Sequence, residues 1–134
     1  MTTKPLANPL PYPNLDNLAL DVRAGKIISL AYATLHSELS AVLQYEYHAL
    51  YANDGYPQIA DLLESIAIAE MKHLELLATA MKKLGVDPIY RQKPQEPNVW
   101  YNTSAISYSK TLPKMLLDNI QGEMNAIADY KKCY

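Results

Sequence analysis

The stretch that most constrains the fold is residues 56–84, a helix-length segment in which apolar residues recur every three or four positions. One face of this predicted helix carries eight residues: Ile59, Leu63, Ile66, Glu70, His73, Leu77, Met81 and Leu84. Only Glu70 and His73 are polar, so the pattern predicts that both point into the core. Residues three apart are neighbours on a helix surface, so this carboxylate and imidazole could bind one metal ion. A buried Glu–His pair can also simply form a hydrogen bond without a metal, and further inward acids are needed to favour a metal site.

Length and composition limit the class of protein. A chain of 134 residues predicts a single domain, and a net charge of -2 without a basic run argues against nucleic-acid binding. The sequence has neither a signal-peptide pattern nor the apolar run of about 18 residues that a membrane span needs, so we expect a cytoplasmic protein without membrane contact. The single cysteine, Cys133, excludes a disulfide framework and a four-cysteine metal site. Any metal would therefore be held by carboxylates and histidines.

The N-terminal residues 1–23 are predicted to form an arm outside the helical domain, which spans 24–134. Four prolines block regular pairing and favour an extended chain: Pro5, Pro9, Pro11 and Pro13. The arm could be a loose tail or could lie on a neighbouring subunit, and we favour the tail slightly.

Two further segments repeat the pattern of an acid within an apolar helix face. Residues 26–53 and 111–132 are predicted helices, and their inward faces include Glu38 and Glu123. His36, Glu46 and His48 fall off the first of these faces, so we expect them at the surface or rim.

The connections between the predicted helices define the bundle. The turn signal at 53–55 predicts that the first two helices are antiparallel. The link 86–110 has three prolines and no period, which suits a crossover that places the third helix parallel to the second, with Trp100 and Tyr101 pinning the link to the bundle.

An internal repeat relates the first and third helices. Aligning ELSAVLQY at 38–45 with EMNAIADY at 123–130 pairs Glu38 with Glu123 and Tyr45 with Tyr130. Two-fold symmetry would then predict a fourth helix with a second Glu-x-x-His motif, roughly thirty residues beyond Glu123. The sequence ends at Tyr134, before such a helix could begin.

Together these motifs resemble the ferritin-like superfamily, and within it the rubrerythrin and manganese-catalase-like proteins of bacteria. The resemblance implies an all-α, ferritin-like helical bundle with a long crossover, in which this chain lacks the fourth helix. It also implies a di-iron or di-manganese centre. In that centre Glu38 and His73 would be terminal ligands of one metal, Glu70 would bridge both metals, and Glu123 would be a terminal ligand of the second.

The family's fourth helix supplies another glutamate and a second histidine, and no residues of this sequence match them. Three explanations stay open, in this order: a longer protein has been truncated, another chain supplies the missing wall, or the bundle binds one ion or none. A three-helix bundle would expose an apolar seam, so we expect a homo-oligomer, in the simplest case a dimer that covers it.

Three carboxylates and one imidazole suit iron or manganese, and carboxylates that change binding mode suit peroxide chemistry. Tyr45 and Tyr130 could support the ligand carboxylates through hydrogen bonds. We therefore expect an enzyme that reduces or disproportionates peroxide. A peroxidase would need an external electron donor, because one cysteine cannot build a rubredoxin-type iron centre, whereas a catalase would not. The alternatives are a structural or assembly bundle without turnover, and iron storage.

Overall fold

The structure is a computed structural model, which describes residues 5–132. Within that range four α-helices form, α1 at Val22–Ile28, α2 at Glu38–Ala52, α3 at Pro57–Leu84 and α4 at Leu112–Lys131, and a 3₁₀ turn, Ser29–Ala31, follows α1. The described residues contain one isolated β-bridge, between Arg91 and Trp100, and no strand. The all-helical prediction is confirmed, whereas Cys133 lies outside the described residues.

Helix α3 closely matches the predicted helix 56–84. Pro57 occupies the first turn, where a missing backbone N–H costs nothing, and Gly85 ends the helix in the left-handed conformation with φ of 97°. All eight residues of the predicted inward face are buried or half-buried. None of the helices in residues 5–132 is long and apolar enough to cross a membrane.

The predicted continuous helix 26–53 is wrong in its first part. The chain forms α1, the 3₁₀ turn and an irregular segment, 32–37, before α2 begins at Glu38. Hydroxyl groups bind the backbone locally, since Thr34 Oγ1 donates to the Leu30 carbonyl at 2.8 Å and Ser37 Oγ caps α2. Such bonds compete with helix formation. As a result, Glu38 lies in the first turn of α2, where the helix dipole favours a carboxylate.

Helices α2 and α3 form the predicted antiparallel hairpin around one apolar cluster. Its buried members include Tyr45, Ala52, Ala60, Leu63 and Met115. The small alanine side chains let the two helices approach closely, and Met115 brings the start of α4 into the same core.

Hydrogen bonds fix the direction of α4. Tyr45 of α2 reaches Glu123 of α4, and Tyr130 of α4 reaches Glu38 of α2. Because the order of the partners is reversed, α4 runs antiparallel to α2 and hence parallel to α3. The crossover predicted from the long link is therefore present.

The link after α3 is held by tyrosines. The hydroxyl groups of Tyr101 and Ser40 are 2.9 Å apart, and the Tyr90 ring stacks on Tyr32 with the centroids 5.5 Å apart. Trp100 is 59% exposed, so the prediction that it also pins the link is wrong.

The predicted inward face of α4 is largely open to solvent. Its members are Leu116, Ile120, Glu123, Ile127 and Tyr130, and all five are exposed, as are the neighbouring Leu117 and Met124. The buried residues of α4 within the described range are Met115 and Asn119, because no described element packs on the other side. The prediction that this stripe is buried is wrong for the described chain.

The N-terminal arm is not a loose tail over residues 5–20. The Leu6 N–H donates to the Ser65 carbonyl at 2.9 Å, and the Lys83 ammonium donates to the Leu15 carbonyl at 3.1 Å. The arm therefore lies along α3 of its own chain and runs in the same direction, and the expectation of a loose tail is wrong for these residues.

Candidate metal centre

Three of the four predicted ligands converge between α2 and α3. Glu38 comes from the first turn of α2, and Glu70 and His73 come from the middle of α3. One ligand atom of each lies within 4.8 Å of the other two. His73 Nδ1 is 3.1 Å from Glu70 Oε2 and 3.7 Å from Glu38 Oε2. This geometry is compact enough to surround a single cation, while metal ligation itself stays a prediction.

Burial and mutual contact shift the pKa values of all three groups. The Glu38 and Glu70 side chains are only 9% and 12% exposed. Burial, together with the neighbouring Glu38 carboxyl, raises the pKa of Glu70 to about 7. Burial also acts to raise the pKa of Glu38, but hydrogen bonds with His73, Glu70 and Tyr130 outweigh it, and the net pKa is lowered.

His73 carries the positive charge that balances these carboxyls. Its hydrogen bonds with Glu38 and Glu70 raise its pKa to about 10, against the opposing effect of burial. Near neutral pH the metal-free centre therefore holds an imidazolium and a carboxyl of Glu70 that titrates in that range. A divalent cation would take the place of these protons.

Two tyrosines support the carboxylates across the helix pair. The Tyr45 hydroxyl donates to Glu123 Oε1 at 2.7 Å, and the Tyr130 hydroxyl donates to Glu38 Oε1 at 2.5 Å. Burial and the Glu123 contact raise the pKa of Tyr45, so it stays a proton donor. Each tyrosine serves the glutamate of the other helix. This pairing can be read from the sequence. Each helix carries a Glu and, seven residues later, a Tyr, so in two antiparallel helices the Glu of one lies opposite the Tyr of the other.

Glu123, the fourth predicted ligand, is placed differently. It lies on the exposed side of α4 and does not belong to the cluster of three found among residues 5–132. It is still close enough for its charge to raise the pKa of Glu70. Ligation by Glu123 therefore stays a prediction.

The residues predicted to lie at the surface or rim differ in their outcome. His36 is exposed and Glu46 is half-buried, as expected, but His48 is completely buried, so the prediction for His48 is wrong. Its Nδ1 accepts from Asn119 Nδ2 at 2.9 Å, and its Nε2 lies 3.3 Å from Ser109 Oγ. Helix α4 and the link cover α2 on this side, which the pattern of α2 alone cannot show.

Tyr12 is a neighbour of the centre that sequence reasoning missed. Its ring meets the His73 imidazole nearly edge to face, with the centroids 6.2 Å apart and the planes at 85°. No periodic signal in the proline-rich arm identifies this residue.

Comparison with known proteins decides the family. The rubrerythrin family model matches residues 28–134. The chain belongs to the rubrerythrin family. No curated protein sequence matches this rubrerythrin-family chain.

The fold of the rubrerythrin-family chain is shared with solved structures. Two crystal structures of KatB, a manganese catalase from Anabaena, superpose with a TM-score of 0.80 at 20% and 21% sequence identity. Each match covers 96% of this chain and 64% of the KatB chain. The fold is therefore the ferritin-like helical fold, and the chain spans less than two thirds of the proteins that it matches.

Proposed function

We propose that this chain is part of a ferritin-like dinuclear carboxylate protein that uses iron or manganese to reduce or disproportionate peroxide. The observation that supports this most strongly is the convergence of Glu38, Glu70 and His73 from two helices. Membership of the rubrerythrin family and the likeness to a manganese catalase point to the same chemistry.

The donor set fits such a metal. Placing two buried carboxyls side by side is costly unless a proton or a cation neutralises them, and Glu70 and Glu38 are so placed. Carboxylate oxygens and an imidazole are ligands that iron and manganese accept. Glu38, Glu70 and His73 would hold the metal together with Glu123. When bound, a redox-active metal would exchange electrons with peroxide.

The remaining polar groups have defined roles around that set. The Tyr130 and Tyr45 hydroxyl groups fix the carboxylates of Glu38 and Glu123, and so limit the positions that their oxygens can take.

We also propose that the open face of α4 is covered in the functional protein, either by further residues of a longer chain or by a second copy. Helix α3 places Glu70 and His73 beside Glu38 of α2. A covering helix would place an equivalent glutamate and histidine beside Glu123 of α4. Exposed Leu117, Ile120 and Met124 give such a helix an apolar surface.

The metal content of purified protein tests the proposal. Protein loaded with Fe²⁺ or Mn²⁺ should retain metal by elemental analysis, and Glu70→Ala should lose most of it. Glu75→Ala removes a carboxylate on the exposed side of α3 and should behave like the unchanged protein. Equal metal content in the Glu70 variant would overturn the assignment.

Peroxide consumption then separates the reactions. A catalase-type protein should consume peroxide without a reductant, whereas a peroxidase should require an external electron donor. Metal retention without peroxide consumption would favour the alternative of a structural or assembly bundle, which the exposed face of α4 also suits. Retention of many ions per chain would indicate iron storage.

A further inference from the structure

We propose that the N-terminal arm, residues 5–16, is a built-in cover of the metal centre and that Tyr12 is a positioning residue for His73. The consequence for metal binding rests on the proposed function, whereas the cover itself does not. The arm is attached to α3 on both sides of His73, and Tyr12 is the arm residue whose ring meets the imidazole.

The attachments bracket the histidine. On one side, the Leu6 N–H donates to the Ser65 carbonyl, which lies about two turns before His73 on α3. On the other side, the Lys83 ammonium donates to the Leu15 carbonyl, nearly three turns after His73. Lys83 also lies 3.8 Å from a carboxylate oxygen of the neighbouring Asp16. Between these two points the arm passes the imidazole, because the Tyr12 ring contacts it there.

Local hydrogen bonds and prolines limit the conformations that are open to the arm. The side chains of Asn8 and Asn14 accept hydrogen bonds from the backbone two residues further along, at 3.0 Å and 2.8 Å. Such Asx turns, together with four prolines between residues 5 and 13, restrict the conformations of the free arm. Less conformational entropy is therefore lost when the arm lies down on α3.

His73 is the most accessible of the three groups of the centre. With the arm in place its side chain is still 39% exposed, while those of Glu38 and Glu70 are 9% and 12% exposed, so the arm covers the imidazole only in part. The perpendicular ring of Tyr12 limits rotation of the imidazole and so helps to keep Nδ1 directed at the two carboxyls. The contact is made by the ring, so the tyrosine hydroxyl is not needed for it.

Chemical modification of the metal-free protein tests the cover directly. Hydroxyl radicals oxidise solvent-accessible imidazoles whether or not they are protonated, and peptide mass spectrometry gives a separate rate for each of the three histidines. In Tyr12→Ala the rate at His73 should rise about 1.5-fold to twofold, while exposed His36 stays fast and buried His48 stays slow. Tyr12→Phe keeps the ring and should match the unchanged protein. Tyr56→Ala, which removes another exposed tyrosine, is the matched control.

An unchanged rate at His73 in Tyr12→Ala would overturn the proposal, and so would a Tyr12→Phe variant that behaves like Tyr12→Ala. If His48 also became reactive in Tyr12→Ala, the fold would have loosened, and Lys83→Met would then decide. That variant removes the second attachment of the arm, so it should raise the rate at His73 alone, and no rise there would overturn the cover.

Metal release supplies the second readout. Protein loaded with Mn²⁺ and challenged with excess chelator should lose metal about threefold to tenfold faster in Tyr12→Ala than in Tyr12→Phe. The two proposals can fail separately. If Tyr12 protects His73 in a protein that retains no metal, the proposal of the cover stands and the proposal of the metal centre fails. If the protein retains metal but His73 is not protected, the metal centre stands and the cover fails.

Discussion

A chain of hydrogen bonds through His48 should hold α4 against α2, so replacing His48 by leucine should measurably destabilise the protein. The Ser107 N–H donates to Gln44 Oε1, so Gln44 Nε2 must donate to Asn119 Oδ1. Asn119 Nδ2 then faces His48 Nδ1 as a donor, which requires a neutral imidazole with its proton on Nε2, directed at Ser109. One backbone N–H thereby fixes the tautomer of a buried histidine.

The magnitude follows from the groups that His48→Leu leaves without partners. Asn119 is 6% exposed, so its amide would lose its acceptor in a buried site, at a cost of about 1–3 kcal/mol. Ser109 is half-buried and keeps Asp118 as an acceptor at 3.1 Å, so its loss should be about 1 kcal/mol or less. We therefore expect His48→Leu to lower the free energy of unfolding by about 1–4 kcal/mol.

The same structure predicts how this difference depends on pH. Burial lowers the pKa of His48 below its usual value of 6.5, because the folded protein favours the neutral imidazole. The stabilisation from His48 is therefore complete above pH 6.5 and is lost as the pH falls, when the unfolded chain binds the proton more readily. The difference between the unchanged protein and His48→Leu should shrink on going from pH 7.5 to pH 5.

Urea unfolding of the metal-free protein at both pH values, followed by circular dichroism, measures these differences. His36→Leu, at an exposed site, should change the free energy of unfolding by no more than about 0.5 kcal/mol. A difference for His48→Leu that is equal at the two pH values would refute the assignment of a neutral, hydrogen-bonded imidazole.

Three further predictions concern the centre and the helix contacts. Glu70 and His73, with pKa values of about 7 and 10, must both lose a proton to bind a metal. The metal affinity, measured by calorimetry, should therefore rise about 100-fold per pH unit below pH 7, where two protons are released, and about tenfold per pH unit between pH 7 and pH 10, where one is released. Tyr130→Phe, which removes a hydrogen bond to a ligand carboxylate, should weaken metal binding about tenfold in a chelator competition, and an unchanged affinity would contradict the role of the hydroxyl. Thermal unfolding should show Gly25→Ala to be destabilised by about 1–3 kcal/mol, since the added Cβ would lie 2.6 Å from a valine methyl group, whereas Gly122→Ala, with open space around it, should be more stable by about 0.5–1 kcal/mol.

The long helix and its two polar residues were predictable because the signal lies within one helix. The stripe through residues 56–84 has a strong period, and it placed Glu70 and His73 correctly on the inner side of α3. The predicted helix 26–53 failed at 29–37, because the apolar pattern continues there while hydroxyl groups such as that of Thr34 bind the backbone locally. The apolar period does not show that side-chain hydroxyl groups compete with the helix for backbone hydrogen bonds.

The other differences arise from contacts between distant parts of the chain. His48 is buried by α4 and the link, and Tyr12 reaches His73 across 61 positions of sequence. Neither contact can be predicted from the local spacing of residues in the sequence. Once the register of α2 against α4 is known, with Tyr45 opposite Glu123, the burial of His48 follows, because Asn119 lies one turn from Glu123 on the same face.

The reciprocal bonds of Tyr45 with Glu123 and of Tyr130 with Glu38 relate α2 and α4 by an approximate two-fold axis that passes between them. The same operation that maps α2 onto α4 would map α3 onto the exposed face of α4, where Ile120 lies. The two halves differ in the described chain, since Glu38 is buried beside Glu70 and His73 while Glu123 is exposed. The covering helix that we propose would, on this symmetry, run antiparallel to α4 and face Glu123 as α3 faces Glu38. An apolar surface on α4 and an acid at its centre are what this symmetry requires, and both are present.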